Sequence, residues 1–205
     1  MHFRRFILGA IASAPMLAVT MGAAQALSPN TAKSFITQAG DNLVGIVNSN
    51  SSESQKATEL RGLVNQIVAV DQVGDYVLGR YINVATPAQK QQFQTLFHQL
   101  LSYNITYQIK AYQGVTFQVN SATPQGDEVL VDTTVTAPDK APADVGWVVE
   151  ESAGQPKIID VIVAGTSLRI TTRNDYAGVI TDNGGQVSAL LNAMQNQISK
   201  ISAAQ

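Results

Sequence analysis

The chain has 205 residues, of which only 14% are charged, and its formal net charge is −2. It contains no cysteine, which excludes disulfides, thiol catalysis and attachment of a lipid through a cysteine, so packing alone must hold the fold. The slightly acidic balance and the lack of a basic cluster argue against nucleic acid as a partner.

The first 26 residues have the pattern of a secretory signal peptide. Arg4-Arg5 precedes an apolar run from Phe6 to Val19, and Ala24-Gln25-Ala26 supplies small residues for cleavage. The run is shorter than the roughly 20 residues of a spanning helix, which favours a cleaved signal over a membrane anchor. We therefore expect residues 1–26 to be removed and residues 27–205 to form a single exported domain. The arginine pair leaves twin-arginine export open beside the general secretory route.

Four helices are predicted in the first half of the mature chain. Ser28-Pro29 is a capping serine followed by proline at the first helical position, and Asp71 is placed to cap the third helix. Thr86-Pro87-Ala88-Gln89 is a capping box ahead of the longest apolar stripe. From the helical spacing of their apolar residues, these helices are expected over 29–47, 53–70, 72–81 and 87–111.

From Gly114 the apolar period changes from 3.6 to 2, which predicts strands. Alternating apolar residues run through 115–119 and 129–135, Trp147 and Val149 mark a third strand, and the fourth covers 157–163. Four consecutive strands with short links predict an antiparallel meander.

The fourth strand is the most apolar segment of the mature chain. Its β-branched residues lie on both parities, so neither face of the sheet can be left in water there. Gly165 ends the strand, Thr166 or Ser167 can cap a following helix, and Gly184-Gly185 precedes a last amphipathic helix.

Candidate catalytic and metal-binding groups are few. His98 is the one histidine of the mature chain, and a lone histidine beside an apolar helix stripe is typically a surface group rather than a general base. Without cysteine, and with acids that lack metal-loop spacing, we expect no metal site and no cofactor.

Asp160 is the most informative acid because it interrupts an apolar strand. A carboxylate in that position needs a hydrogen bond or an ion pair, and Arg80, Arg169 and Arg173 are the candidate partners. A small hydrolase that uses Asp160 and His98 is the enzymatic alternative. The segment from Gly165 to Ser167 offers another alternative, a phosphate cradle at a helix N-terminus.

Several short segments occur in an order that resembles a known family. They are Val77-Leu78-Gly79-Arg80-Tyr81, the helix capped by Thr86-Pro87, Ile159-Asp160-Val161, Ala164-Gly165-Thr166-Ser167-Leu168, Arg173-Asn174-Asp175-Tyr176 and Gly184-Gly185. With a signal peptide in front, this order is similar to that of the Mla-type periplasmic phospholipid carriers, the MlaC-like or toluene-tolerance family, over nearly all of the mature chain. The sequence departs from the family pattern at Gln155-Pro156, where members usually carry tryptophan, and at Ala164, where an acid is common.

The resemblance implies an α+β fold, in which an antiparallel sheet of about four strands is covered by N-terminal and C-terminal helices around a lipid cavity. It implies a non-enzymatic, soluble periplasmic carrier that shuttles phospholipid between the inner and outer membranes in an ABC-transporter-linked lipid asymmetry pathway. The implied partners are an inner-membrane ABC transporter complex with a lipid-binding substrate-recognition domain and an outer-membrane lipoprotein complex. A carrier of hopanoids or other lipids with the same fold, and a module for a small polar solute, stay open as alternatives.

In such a cavity, one face of the sheet is expected to meet the long helix across the acyl chains. We choose the face that carries Val161, because the opposite parity would put Asp160 among hydrocarbon. The residues expected to contact lipid are Phe97, Leu101, Ile105, Phe117, Val131, Val149, Val161 and Val163. Those expected at the mouth or near the headgroup are Arg80, Tyr81, Arg169 and Arg173.

Overall fold

The computed structural model describes residues 27–107, 113–138 and 140–203, without the side chains of residues 105–107. The signal peptide expected at residues 1–26 and the end of the long helix expected beyond residue 107 lie outside the described residues. The helices are α1 (Pro29–Asn48), α2 (Glu53–Ile67), α3 (Val70–Leu78), a 3₁₀ helix (Gly79–Asn83), α4 (Pro87–Tyr107), α5 (Leu168–Asp182) and α6 (Val187–Ala203). The strands are β1 (Thr116–Gln125), β2 (Glu128–Thr136), β3 (Ala143–Ser152), β4 (Gln155–Val163) and β5 (Thr166–Ser167).

The described strands form one antiparallel sheet in the order β1-β2-β3-β4-β5. Four strands are long, and β5 adds two residues beside the end of β4. Helices precede and follow the sheet along the chain. The expected α+β class and the antiparallel meander are therefore confirmed.

Side-chain caps set the starts of α1 and α4, as expected. The Ser28 hydroxyl accepts a hydrogen bond from the backbone N–H of Thr31 at 3.1 Å. Thr86 and Gln89 form a reciprocal capping box, with each side chain accepting from the backbone N–H of the other residue. Local sequence alone therefore determines where these two helices begin.

The expected start of α3 is wrong, because the residues directly before it are hydrogen-bonded to the sheet. Helix α2 ends at Ile67, and Val68 then forms an isolated parallel bridge with Ile158 of β4. The backbone N–H of Ala69 donates to the Ile158 carbonyl at 3.0 Å, and α3 starts directly afterwards with no side-chain cap. Asp71 lies inside the first turn of α3, where it contacts His98 instead.

The same link covers part of the outer edge of β4. Besides the bond from Ala69, the Lys157 ammonium donates to the backbone carbonyl of Gln66. Further along, β5 pairs with β4 at Ile162 and Val163. An edge strand that carries these partners offers few free backbone groups to another chain.

A β-bulge in β4 changes which of its side chains share a face. Val161 pairs with Trp147 and Asp160 with Val148, but the next partner of β3, Val149, pairs with Ile158. Ile159 is therefore the extra residue, and Ile158 lies on the Val161 face although the two are three residues apart. Strict alternation along the strand would place Ile158 on the face of Asp160, and the bulge is the reason that it does not hold.

Buried apolar side chains form two main clusters. The first joins α1 to the sheet and includes Ile36, Val129, Val131, Val149 and Ile158. The second joins the helices and includes Phe93, Phe97, Tyr81, Ile180 and Leu190. Val68, in the link between α2 and α3, packs against both clusters. The sheet and the helical bundle therefore have separate cores that meet at this link.

Two hairpin turns carry alanine in the left-handed region. Ala153 (φ 51°) precedes Gly154 in the β3–β4 turn, and Ala164 (φ 49°) precedes Gly165 in the β4–β5 turn. Two-residue turns of this kind need φ above zero at both positions, which costs an alanine about 1–2 kcal/mol. Both turns therefore carry backbone strain.

We expect Ala153→Gly to raise the free energy of unfolding by about 0.5–1 kcal/mol, because relief of the strain exceeds the entropy that glycine adds to the unfolded chain. Ala193→Gly is the matched control, since Ala193 is exposed within α6 and glycine in a helix costs about 1 kcal/mol. Urea denaturation should therefore show shifts of opposite sign. A loss of stability in both variants would contradict the strain at Ala153.

Candidate functional site

One face of the sheet is apolar, and its cover thins from one end to the other. Val129, Val149 and Ile158 pair across three strands at the closed end, where they are 0–2% exposed. The next row contains Val131, Trp147 and Val161, and the row after it contains Thr133, Val145 and Val163. Trp147, Val161 and Val145 are half-buried and Val163 is 38% exposed, whereas Val131 and Thr133 on β2 are 0% exposed. The apolar face therefore opens to solvent at Val163, on the β4 side of the sheet.

The rings of Phe117 and Trp147 form an aromatic pair on this face. Their centroids are 6.4 Å apart, at an angle of 60°. The Phe117 ring also lies against α1 at Gly40, where a Cβ atom would be only 2.4 Å from Phe117 Cδ1. Because both rings are half-buried, the open end is bordered by large apolar groups that are not fully enclosed.

The polar groups of this face are satisfied internally. The Trp147 indole N–H donates to the Thr133 hydroxyl at 2.9 Å, and that hydroxyl donates to the Val145 carbonyl at 2.9 Å. The face can therefore receive hydrocarbon without leaving these groups unpaired. Sequence reasoning placed Trp147 on a strand but missed it as a site residue, although its i, i+2 spacing from Val149 puts both on one face.

Five of the eight residues expected to contact lipid lie on this one face of the sheet. Phe117, Val131, Val149 and Val161 belong to the cluster between α1 and the sheet, and Val163 lies at its exposed end. Their contact with lipid stays a prediction.

The expected partners on α4 lie elsewhere. Phe97 and Leu101 pack in the helical cluster, where α4 contacts α6, α2 and α3, whereas α1 covers the sheet. The Ile105 side chain lies outside the described residues. An apolar stripe shows that a helix has a buried side, but it does not identify the element that packs there. For this reason α4 was expected to face the sheet, whereas it packs against other helices.

A groove of about 480 Å³ separates α1 from α2 on another side of the molecule. Asp41 and Glu59 line it together with Ile46 and Leu63. Carboxylates beside hydrocarbon would be desolvated at a high free-energy cost, which makes this groove a poor site for acyl chains.

Two of the expected mouth residues converge on one tyrosine. Arg169 and Arg173, one helical turn apart on α5, lie over the ring of Tyr76 on α3, with guanidinium carbons 4.4 and 4.9 Å from its centroid. Arg173 also lies against Gly79, where a Cβ atom would be 2.9 Å from Arg173 Nε. Gly79 has φ 57°, so both backbone shape and space require glycine there.

The other two expected mouth residues form a separate pair. Arg80 donates to the Tyr81 hydroxyl at 2.9 Å, and that hydroxyl is 2.8 Å from the Thr181 hydroxyl on α5. The hydrogen bond with Thr181, followed by the bond from Arg80, holds the pKa of Tyr81 below its ordinary value. The four residues thus join α5 to α3 and the 3₁₀ helix at two places, rather than forming one ring around a headgroup.

Asp160 is hydrogen-bonded, as expected for a carboxylate in this strand. Its Oδ1 accepts from the backbone N–H groups of Val161 (2.8 Å) and Arg169 (2.9 Å), and its Oδ2 accepts from the Ser167 hydroxyl (2.5 Å). Arg169 Nε is 3.8 Å from Oδ2. The carboxylate therefore already occupies the N-terminus of α5, which argues against the phosphate cradle considered at Gly165 to Ser167.

The geometry gives no support to the hydrolase alternative. His98 Nε2 is 2.7 Å from Asp71 Oδ1 on α3, whereas the partners of Asp160 are Ser167 and the backbone of β4 and α5. The two groups therefore have different partners on different elements. Within residues 27–107, 113–138 and 140–203, no three histidines or acids are placed to hold a metal ion. In the same ranges, no helix is both long and apolar enough to cross a membrane.

An antiparallel sheet with one apolar face under α1, together with a separate helical core, defines a small α+β protein. A sequence profile described as "MlaC protein" matches residues 37–196. The chain therefore belongs to the MlaC protein family, and the resemblance found in the sequence is confirmed.

Known proteins agree with this membership. The chain is 24% identical over 176 residues to the intermembrane phospholipid transport system binding protein MlaC of Haemophilus influenzae, with 81% of each chain covered. It is 25% identical over 144 residues to the toluene tolerance protein ttg2D of Pseudomonas putida, covering 69% of this chain and 66% of the relative. The structure of a phospholipid-binding protein from Ralstonia solanacearum, in complex with a phospholipid, superposes with a TM-score of 0.73 at 24% identity. That match covers 83% of this chain and 98% of the other.

We expect Asp160→Asn to lower the free energy of unfolding by about 2–3 kcal/mol, because it leaves Arg169 without its buried counter-charge and weakens three hydrogen bonds. Asp132→Asn is the matched control, since Asp132 lies in the same sheet, is half-buried and accepts one bond from Ser121. Urea denaturation measures the loss of unfolding free energy in each variant. Equal losses would show that the hydrogen bonds of Asp160 stabilise the fold no more than the single bond of Asp132 does.

Proposed function

We propose that this protein binds a phospholipid by its acyl chains and carries it, without catalysis, through the periplasm. The observation that carries the proposal is the apolar sheet face that opens toward solvent at Val163, beside the half-buried rings of Phe117 and Trp147. Membership of the MlaC family and the phospholipid named for the structural relative support it.

The acyl chains enter at the open end and lie along the junction of the two clusters. Because the proposed lining residues Val131, Val149 and Phe97 are now buried in the two clusters, loading requires helices to move away from the sheet and lipid to take over part of their contacts. Phe117, Val131, Val149, Val161 and Val163 then supply one wall. Phe97, Leu101 and Ile105 of α4 supply the other wall in this proposal.

The free energies suit a carrier that both loads and releases lipid. Two acyl chains hold about 30 methylenes, and shielding them from water is worth on the order of 20 kcal/mol at ~0.8 kcal/mol each. A bilayer offers the chains nearly the same shielding, so transfer from a membrane into a dry cavity is close to balanced. The exchange can therefore run in either direction, depending on which partner supplies lipid.

The headgroup stays near solvent and is weakly selected. Arg169 already has Asp160 and Glu128 within 4 Å, and Arg80 bonds the Tyr81 hydroxyl. A single phosphate contact with an exposed arginine is worth about 1 kcal/mol or less. Selection therefore acts on the tails.

The partners in this proposal are an inner-membrane ABC transporter complex with a lipid-binding substrate-recognition domain and an outer-membrane lipoprotein complex. The Haemophilus influenzae relative, named as the binding protein of an intermembrane phospholipid transport system, supports such a route. The signal-peptide pattern of residues 1–26 supports a periplasmic location.

We expect Val161→Trp to lower lipid occupancy at least about tenfold, a change of ~1.4 kcal/mol, because the added indole fills the space next to Trp147. Ile162→Trp is the matched control on the opposite face of β4, where the half-buried Ile162 lies near Gly146. Mass spectrometry of lipid extracts measures the occupancy. Full occupancy in Val161→Trp, or no phospholipid in the wild type, would overturn the proposed site or the proposed function, respectively.

When the protein is offered equal amounts of phosphatidylethanolamine and phosphatidylglycerol, the bound amounts of the two lipids should differ by less than about tenfold and should depend little on salt. Single-chain lipids should be retained much less because they fill half of the cavity. A preference above tenfold would reveal a headgroup site. Native mass spectrometry of the loaded protein distinguishes these outcomes.

A further inference from the structure

A short chain of hydrogen bonds crosses the apolar face of the sheet. The Trp147 indole N–H on β3 donates to the Thr133 hydroxyl on β2, and that hydroxyl donates to the backbone carbonyl of Val145. Thr133 is 0% exposed, although it lies in the row of residues that ends at the exposed Val163. Each donor of this chain therefore has its acceptor inside the sheet.

The two polar side chains of this face leave no donor free. An indole has one donor and no acceptor, so Trp147 has nothing further to offer once it is bonded to Thr133. The other side chains in the three rows of this face are all valine or isoleucine. Among the described residues, the buried side-chain atoms without a hydrogen-bond partner belong to Gln94 on α4 and Arg169 on α5, not to this face. A ligand that lies on the face therefore meets hydrocarbon and an aromatic ring.

Such a face treats a plain acyl chain and a hydroxylated one differently. A chain hydroxyl in a bilayer can bend to the interface and bind water there, but against this face it would be buried without a partner, which costs free energy. A plain chain exchanges one hydrocarbon environment for another and has no such cost. The bond between Trp147 and Thr133 is responsible for the difference, because either group left free would supply the missing partner.

We propose that Trp147 is a specificity-determining contact that selects unsubstituted acyl chains over hydroxylated ones. Thr133 is the positioning residue, since its hydroxyl holds the indole with the N–H bonded to the sheet and leaves only the ring for the chain. The inference rests on the proposed function and adds to it the chemical class of acyl chain that is carried. The headgroup has no part in this selection.

The test offers the purified protein vesicles with equal amounts of dioleoylphosphatidylglycerol and diricinoleoylphosphatidylglycerol. The chains of these lipids have the same length and double bond and differ only by a hydroxyl group on each chain. Mass spectrometry measures the ratio of the two bound lipids, and we expect the dioleoyl lipid to be favoured at least about tenfold, equivalent to ~1.4 kcal/mol. Because the lipids compete for the same protein molecules, the ratio does not depend on the folded fraction of the sample.

Two variants remove the hydrogen bond from opposite sides. Thr133→Val keeps the shape of the side chain but frees the indole N–H to donate to a chain hydroxyl. Trp147→Phe removes the indole N–H and leaves the Thr133 hydroxyl free to accept. In either variant the preference should shrink at least about threefold. Thr133→Ser restores the hydroxyl and should keep the wild-type preference.

Thr134→Val is the matched control. Thr134 is the next residue of β2, so its side chain lies on the opposite face of the sheet. Its hydroxyl also makes two hydrogen bonds, as acceptor from Asn120 and donor to Asp144, and it is half-buried. Loss of those bonds should leave the ratio of bound lipids unchanged.

The contact itself is measured by fluorescence. Trp147 is the single tryptophan of the chain, so tryptophan emission reports on this position alone. Phospholipid with brominated acyl chains should quench the emission of the wild type, and the same lipid without bromine should not. Unquenched emission from protein that carries the brominated lipid would overturn the inference, because the chain would not then touch the indole.

The competition experiment separates the inference from the proposed function. A wild-type preference below about tenfold overturns the inference, and so does a preference that shrinks less than about threefold in Thr133→Val and in Trp147→Phe. Loss of the preference in Thr133→Ser or Thr134→Val has the same meaning. Wild-type protein that takes up neither lipid would overturn the proposed function, whereas equal uptake of both lipids would overturn this inference alone.

Discussion

The buried carboxylate of Asp160 is the constraint on which the placement of α5 depends. The apolar packing of α5 lies in its second half, where Ile180 is fully buried and Tyr176, Ala177 and Val179 are partly buried against the helical core, so its first turn needs another anchor. Asp160 fixes its first turn through Ser167 and the Arg169 backbone, and the Arg169 side chain then extends over Tyr76 of α3. A carboxylate in an apolar strand costs free energy unless it is hydrogen-bonded, so this acid requires the hydrogen bonds that position the first turn of α5. One acid thus links the sheet to the helical bundle.

The apolar side chains are divided between two cores rather than gathered in one. Each cluster is closed by its own helices, α1 over the sheet and α6 against α4, and the junction between them passes through Val68. Val131, Val149 and Phe97, which are proposed to contact lipid, are buried members of these cores. The proposed binding of acyl chains therefore requires that lipid methylenes take over contacts that the helices now make.

Local signals predicted most of the fold, and tertiary contacts decided the rest. The caps at Ser28 and Thr86 and the change of period at Gly114 depend on neighbouring residues, and the structure agrees with them. The bulge at Ile159 has no local signature, because Ile158, Val161, Ile162 and Val163 are all β-branched and either register places apolar side chains on both faces. It is determined by pairing with β3, and it moves Ile158 to the face that carries Val161.

Other features of the site depend on partners that are distant in sequence. Phe97 lies on a clear apolar stripe, yet nothing in that stripe indicates that α6 rather than the sheet packs against it. Lys56 is 4% exposed and donates to the Val47 carbonyl at the end of α1, although a lysine in a polar helix segment is ordinarily expected in solvent. Both examples show that the choice of neighbour, rather than the type of element, is what the sequence leaves open.

Gly40 sets the distance between a helix and a sheet by the side chain that it lacks. The Phe117 ring occupies the position in which a methyl group at residue 40 would stand, so α1 rests on the sheet at the closest approach that its backbone allows. A side chain at residue 40 would have to displace the Phe117 ring, which is also the partner of Trp147. The aromatic border of the sheet face is therefore tied to the absence of a side chain on the helix above it.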